Sequence, residues 1–151
     1  MELILWRHAE AEADNSDDLA RPLTERGRKQ AARMAAWLTP RLPQNVRILV
    51  SPALRARQTA KALGRETETC DALAPERGLD ELLAAAGWPD ADGTVLVVGH
   101  QPSLGLAARY LLTGDAAELS VRKAGVWWFQ SRERNGKTQV VLRAVVNPDW
   151  L

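Results

Sequence analysis

Hydrophobic residues occur along this chain in short runs and in spaced sets. Leu3 to Trp6 is continuously apolar, and two similar runs follow, Val46 to Val50, which includes Arg47, and Thr94 to Val98, which begins with a threonine. Runs of this length and composition are typical of strands that are buried on both faces of a parallel sheet. We therefore predict three central strands at these positions.

Between and after these runs, apolar residues recur at helical spacing. Thr24 is a suitable N-cap for the first predicted helix, and Glu25 suits its first turn. The apolar face of that helix consists of Ala31, Met34, Ala35, Leu38 and Leu42.

Three more helices are predicted from capping residues. The second begins at Ser51–Pro52, with Ser51 as N-cap and Pro52 as first helical residue. The third covers about Leu79 to Ala86 and ends at Gly87, and the fourth runs from near Pro102–Ser103 to Gly114.

Two β-rich runs near the end of the chain flank the turn residues Asn135–Gly136, a strong signal for an antiparallel hairpin. Alternating strands and helices predict an α/β fold, a three-layer α/β/α sandwich with a mostly parallel central sheet. At 151 residues, without repeats or linkers, the chain is expected to be one domain, residues 1–151.

Composition narrows the possible functions. The formal net charge of +1 gives no overall attraction to nucleic acid or to a membrane surface, so neither is an expected partner. The single cysteine, Cys70, excludes an internal disulfide and is expected to serve packing. No signal peptide or membrane-spanning run is present, so we expect a cytoplasmic protein.

Candidate chemistry lies at the strand ends, because α/β sheets bind ligands beyond the carboxyl ends of their strands. Arg7 and His8 follow the first strand, and His100 follows the third. His8 and His100 are the two histidines of the chain, and both fall at this edge.

Arg55 is expected to join them. It lies one turn into the second predicted helix, and helical side chains lean toward the helix N-terminus, so its guanidinium reaches back over the sheet edge. Arg57 lies roughly 200° further around the helix and is expected to face solvent.

Two guanidinium groups, two imidazoles and two helix N-termini describe an anion site that accepts phosphate or sulfate. Such cations disfavour a divalent metal. Two histidines are also fewer ligands than most zinc sites use, although Glu10 or Glu12 could complete such a site. We expect neither metal nor cofactor. A histidine can also attack phosphorus and carry the phosphoryl group, but spacing does not decide which histidine does so.

Three motifs in order resemble the histidine phosphatase superfamily, which has the phosphoglycerate mutase-like fold. They are RHAEA after the first strand, SPALRARQTA after the second and VGHQPSLG after the third. The run DLARPLTERGRKQAARMAAWL, residues 18–38, is especially similar to the SixA-type phosphohistidine phosphatases.

The resemblance implies a role for each candidate residue. His8 would be the nucleophile and transient phosphate carrier, Arg7 and Arg55 would bind the phosphoryl oxygens, and His100 would donate a hydrogen bond to phosphate. Arg21 would either approach the rim of the site or anchor its loop through a carboxylate. The implied substrate is a phosphotransfer or phosphocarrier protein bearing phosphohistidine.

Two departures from the superfamily pattern are visible. Ala9 stands where glycine is commoner, which requires a negative φ at that position. Only about 39 residues separate Thr59 from Gly99, leaving little room for the inserted segment that usually carries a general acid. The candidates for that acid are Glu76, Asp80 and Glu81, although a role at a helix start or on the surface is favoured for each of them.

The shortage of an acid favours phosphohistidine as substrate, because imidazole, with a conjugate-acid pKa of about 6.5, leaves more readily than an alkoxide. Two alternatives stay open: a phosphatase of small phosphomonoesters, and a non-catalytic module that binds phosphate or a phosphoprotein. The sequence does not predict the oligomeric state or the partner's identity.

Overall fold

The first hydrophobic run forms a strand at the middle of a mixed sheet. In the computed structural model, which describes residues 1–13 and 16–151, β1 (Glu2–Arg7) is flanked by two other strands. It pairs in parallel with β4 (Thr94–Gly99) and antiparallel with β5 (Val126–Arg134). Its residues 3–6 have no exposed surface, which explains why the run is apolar at every position.

Three further strands complete the described sheet: β2 (Arg47–Val50), β3 (Glu68–Thr69) and β6 (Lys137–Val146). The spatial order is β3-β2-β4-β1-β5-β6. The strands β1, β2, β3 and β4 are parallel, and the hairpin of β5 and β6 adds two antiparallel strands. The mostly parallel sheet predicted from the sequence is confirmed.

Helices cover both faces of the sheet. One face packs against α1 (Glu25–Leu38) and α2 (Leu54–Lys61), and the other against α3 (Leu79–Ala86) and α4 (Ser103–Thr113). This arrangement confirms the predicted three layers. No helix in the described part of the chain has the length and apolar character needed to cross a membrane.

The first helix begins as its capping residue predicts. Thr24 Oγ1 accepts a hydrogen bond from the Gly27 amide at 2.9 Å. The helix ends at Leu38, earlier than the apolar spacing indicates, and Leu42 is buried in the turn that follows.

The predicted start of the second helix is wrong. It begins at Leu54 with Ala53 as N-cap, two residues after the predicted cap at Ser51. The Ser51 hydroxyl accepts from the Ala53 amide at 3.2 Å and also lies 2.7 Å from His100 Nε2. Ser51 therefore combines a local contact before the helix with a tertiary contact at the end of β2.

The predicted hairpin is confirmed. Asn135 and Gly136 have φ values of 53° and 74°, the left-handed conformation that a two-residue hairpin turn requires. Strand β3 was not predicted, since two exposed polar residues carry no hydrophobic signal.

Candidate active site

The two histidines follow neighbouring parallel strands and meet at the carboxyl edge of the sheet. His8 comes directly after β1 and His100 directly after β4, whose last residues, Arg7 and Gly99, are paired in register. The imidazole centroids are 5.0 Å apart, and the residues are only 7% and 2% exposed. Both predicted histidines therefore line one buried site.

A cavity of about 210 Å³ opens at this edge. Its lining includes every predicted site residue: Arg7, His8, Arg21, Arg55 and His100. Ala11, Pro75, Gln101 and Lys123 also line it, and none of these four was singled out as a site residue from the sequence.

Arg55 and Arg57 differ as helical geometry predicts. Arg55 is 3% exposed and lies at the cavity, whereas Arg57 is exposed and donates to the Pro52 carbonyl at 3.2 Å. The Arg55 guanidinium donates from Nη1 to the Asp18 carbonyl at 2.7 Å and pairs through Nη2 with the Asp18 carboxylate at 3.2 Å. Asp18 therefore fixes the orientation of Arg55.

Arg21 shows both behaviours that the sequence left open. It lines the cavity, and its Nε donates to Asp18 Oδ1 at 3.0 Å. Its Nη1 also donates to the Glu12 carbonyl at 3.1 Å. Asp18 thus bridges Arg21 and Arg55. Arg55 and Arg21 hold the pKa of the Asp18 carboxyl below its usual value, although slight burial alone would raise it.

The His8 ring is held so that one nitrogen remains available. Its Nδ1 donates to the Ala9 carbonyl at 2.7 Å, which leaves the lone pair on Nε2. The Ala9 amide in turn donates to Thr59 Oγ1 at 3.0 Å, and that hydroxyl donates to the Arg55 carbonyl. Ala9 does not have a positive φ, so its methyl group is accommodated as the sequence analysis required.

His100 is held by the opposite ring nitrogen. Ser51 Oγ accepts from the Ala53 amide at 3.2 Å and lies 2.7 Å from His100 Nε2. His100 Nδ1 is a buried atom without a hydrogen-bond partner among the described residues, and it carries the ring hydrogen in the tautomer in which Ser51 donates to Nε2. Ser51 was predicted as a helix cap, and its position at the end of β2 was the signal for this second role.

Burial keeps both imidazoles neutral. Desolvation lowers the pKa of His8 to about 4, with further lowering by Arg55 and Arg7 and a partly opposing hydrogen bond to Ala9. Desolvation also lowers the pKa of His100 to about 3, and the neighbouring His8 and Arg55 add to the effect. The site therefore offers two neutral imidazoles beside fixed positive charge.

Like His100 Nδ1, two arginine nitrogens at the site are buried without a hydrogen-bond partner among the described residues. These nitrogens are Nε of Arg7 and Nε of Arg55, whereas Arg7 Nη1 donates to the Val121 carbonyl at 2.7 Å. Buried donors normally have partners, so this set favours an acceptor-rich ligand at the cavity.

The three carboxylates considered as general acids lie outside the described cavity lining. Glu81 pairs with Arg77 at 2.9 Å and caps α3 by accepting from the Gly78 amide at 3.4 Å. Asp80 and Glu76 are exposed, and Glu76 directly follows the lining residue Pro75. Glu76 is therefore the candidate nearest to the cavity in sequence.

Comparison with known proteins identifies relatives of this chain. The sequence model of the Histidine phosphatase superfamily (branch 1) matches residues 3–86. The phosphohistidine phosphatase SixA of Escherichia coli (strain K12) is 31% identical over 132 residues, which cover 82% of each chain. An uncharacterized protein of a Picosynechococcus strain is 35% identical over 163 aligned residues, with 100% of this chain and 99% of the other covered.

Solved structures agree with these relatives. A protein histidine phosphatase SixA complexed with tungstate superposes with a TM-score of 0.78 at 27% identity, covering 99% of this chain and 98% of the other. A SixA protein from Nakamurella gives a TM-score of 0.75 at 30% identity, covering 97% and 95%. The expectations of this fold and of a phosphatase are confirmed, and the chain belongs to the histidine phosphatase superfamily.

Proposed function

We propose that this protein is a metal-independent phosphatase that removes the phosphoryl group from phosphohistidine on a protein, with His8 as its nucleophile. The observation that carries the proposal is the neutral His8 ring with its Nε2 lone pair uncommitted, beside His100 and three arginines in one cavity. A neutral imidazole attacks phosphorus without needing a base to deprotonate it first.

The reaction has two displacements. First, His8 Nε2 forms a bond to phosphorus while the P–N bond to the substrate imidazole breaks, and that imidazole, protonated by solvent on its other ring nitrogen, leaves as neutral imidazole with the electron pair. Water then attacks phosphorus, the P–N bond to His8 breaks so that Nε2 regains its lone pair, one proton of the water passes to solvent, and hydrogen phosphate leaves. Positive charge at the cavity stabilises the equatorial oxygens in both transition states, the task that Mg²⁺ performs in many other phosphoryl-transfer enzymes.

Each of the other site residues has a part in this scheme. Arg7 and Arg55 bind the phosphoryl oxygens, and His100 donates from Nδ1. Arg21 lies at the cavity and, through Asp18, supports the orientation of Arg55. With these cations in place, the proposal needs no metal ion.

Phosphohistidine is favoured as substrate by the leaving group. None of the described lining residues is a carboxylic acid that could protonate a leaving group. The cavity therefore suits a substrate whose leaving group needs little protonation. Imidazole, with a conjugate-acid pKa of about 6.5, meets that requirement better than an alkoxide. The named activity of the Escherichia coli relative, and the oxyanion held by the tungstate-bound neighbour, support the same choice.

Quenching in alkaline denaturant during turnover of a radiolabelled phosphohistidine protein tests the nucleophile, because the P–N bond of phosphohistidine survives alkali. We expect label trapped on the wild-type enzyme with the acid lability of phosphohistidine, and no trapped label on His8→Ala. The Arg57→Ala variant serves as a control, because Arg57 is an exposed residue of α2, the helix that carries Arg55. This variant should trap label as the wild type does. Label on His8→Ala, or none on wild type, would contradict the mechanism.

A substrate comparison tests the specificity. Turnover of a phosphohistidine-bearing protein should exceed that of small phosphomonoesters and should be unaffected by a chelator. Faster turnover of phosphomonoesters would indicate the second candidate, for which Glu76 beside Pro75 is the available acid. In that case Glu76→Gln should lower phosphomonoester turnover selectively.

A further inference from the structure

A second and larger cleft adjoins the catalytic cavity. It has a volume of about 640 Å³, and Arg7 and Lys123 line both spaces. A macromolecule that presents a phosphoryl group to His8 therefore has a continuous path along this cleft. We call it the basic groove.

The charge of the basic groove is strongly one-sided. Its lining carries six cationic side chains: Arg7, Arg26, Lys29, Arg33, Arg122 and Lys123. Two carboxylates, Glu10 and Asp149, oppose them. Because the whole chain has a formal net charge of only +1, this excess reflects a local concentration of charge beside the active site.

Local structure places these cations together. Arg26, Lys29 and Arg33 are spaced three and four residues apart on α1, so they share one helical face. Arg122 and Lys123 are exposed on the segment that leads into β5. The apolar face of the same helix packs on the sheet, which fixes the basic face toward solvent.

Neutralisation within the molecule is slight. Arg26 approaches the Glu10 carboxylate only to 3.9 Å, and Lys29 approaches Glu25 to 3.6 Å at the surface. No ion pair to Arg33, Arg122 or Lys123 is found within the described ranges. Their positive charge is therefore available to a partner.

From this charge distribution we propose that the basic groove docks an acidic surface next to the phosphohistidine of the substrate protein. The inference rests on the proposed function and specifies the partner's face. Exposed, long side chains of one sign steer and orient a charged partner, whereas sites for small ligands are mostly apolar and have few polar groups. Nucleic acid is less favoured, because none of the described groove residues is an aromatic side chain on which bases could stack.

Three chemically phosphorylated probes test the docking surface. Two are peptides of equal length with one phosphohistidine, flanked either by glutamates or by lysines, and the third is free phosphohistidine. At low salt, kcat/KM of the wild type should be about tenfold or more higher for the glutamate peptide than for the lysine peptide. High salt should remove most of the difference.

The double variant Lys29→Glu/Arg33→Glu should lose or reverse this preference, mainly through KM. Its turnover of free phosphohistidine should match the wild type, because neither residue lines the catalytic cavity. The control Arg28→Glu/Lys137→Glu reverses the same number of charges away from the groove and should keep the preference. Thermal melting of all variants establishes that they are folded.

The outcomes separate the two proposals. Failure of the wild type to hydrolyse any phosphohistidine probe contradicts the proposed function, and the docking proposal falls with it. Hydrolysis of both peptides with equal kcat/KM at low salt contradicts the docking proposal alone. A single-stranded oligonucleotide that binds the groove tightly, with no preference between the peptides, would also contradict it.

Discussion

At the scale of single residues, the two imidazoles of the site are held by opposite ring nitrogens. The Ala9 carbonyl holds His8 at Nδ1, whereas Ser51 holds His100 at Nε2. The nitrogen without a partner is therefore Nε2 in His8 and Nδ1 in His100, although both rings are neutral and side by side. Backbone and hydroxyl partners, more than the histidines' identity, set the difference between them.

The titration of these rings is the first prediction. In the wild-type protein without phosphate, neither histidine should titrate as pH falls from about 8 to about 5, since burial lowers the pKa of His8 to about 4 and that of His100 to about 3. Carbon and nitrogen NMR shifts of the two rings measure this directly. A ring that titrates near the unperturbed pKa of about 6.5 would contradict the prediction.

Asp18 gives a second prediction at this scale. Asp18→Ala removes the carboxylate from Arg55 and Arg21 but keeps the backbone carbonyl that accepts from Arg55 Nη1. Because Arg55 loses one of its two anchors, we expect kcat/KM to fall about tenfold, with phosphate binding weakened in parallel.

An Asp17→Ala variant of the neighbouring residue is the control for the local fold, because the Asp17 side chain caps the short helix at Asp18–Ala20 by accepting from the Leu19 amide at 3.0 Å. Its effect on phosphate affinity should be much smaller. Equal loss in both variants would show that Asp18 acts only through the local fold. Titration calorimetry with phosphate separates these cases.

At the scale of elements, hydrophobic patterning was sufficient where one local rule acted alone. The three buried runs predicted β1, β2 and β4, and apolar spacing with capping glycines predicted α3 and α4. The meeting of both histidines and Arg55 followed from the rule for strand ends. Local capping preference failed at Ser51, which contacts the distant His100 while α2 begins with Ala53 as its N-cap.

Asp18 could not have been assigned to Arg55 from the sequence. It lies 37 residues away in a short, exposed helix whose residues have no regular hydrophobic pattern. The contact depends on where the segment around Asp18 packs at the edge of the sheet. Local sequence preferences do not determine that position. Strand β3 escaped prediction for the related reason that sheet pairing, not burial, defines it.

A prediction at this scale concerns the packing of α1. Alanine within a helix is usually about 1 kcal/mol more favourable than glycine. At Gly27, however, a Cβ would lie 2.0 Å from the Glu10 carbonyl oxygen, which is backbone and cannot move freely. We therefore expect Gly27→Ala to lower the free energy of unfolding by about 2 kcal/mol or more.

Gly78→Ser is the matched control, because no atom lies within 4 Å of a Cβ at that position and serine is an acceptable N-cap. Its free energy of unfolding should change by about 0.5 kcal/mol or less. Urea denaturation of both variants measures the difference. A Gly27→Ala protein as stable as wild type would show that the helix shifts without cost.

At the scale of the whole molecule, the site makes stability depend on pH. Each buried histidine has a pKa in the folded protein below its value in the unfolded chain, so the unfolded chain binds more protons below about pH 6.5. Stability contributed by the neutral rings is present above that pH and is lost as pH falls toward about 4 for His8 and about 3 for His100.

We therefore predict a falling melting temperature as pH is lowered from about 7 to about 4. A His100→Gln variant lacks one of the two titrating rings, so its melting temperature should depend less steeply on pH over the same range. Calorimetry across the pH series measures both slopes. Parallel slopes for the two proteins would show that His100 is not the source of the dependence.

The pairing of β1 has a consequence for the order in which the site is assembled during synthesis. Glu2 at its start contacts Thr94 on β4 and Trp128 on β5, partners 92 and 126 residues away. At a ribosomal rate of about 5 to 20 residues per second, His8 waits about 5 s or longer for the neighbours that surround it. His8, the proposed nucleophile, is synthesised well before β4 and β5, so a nascent chain released before Trp128 carries this histidine without the strands that form its pocket.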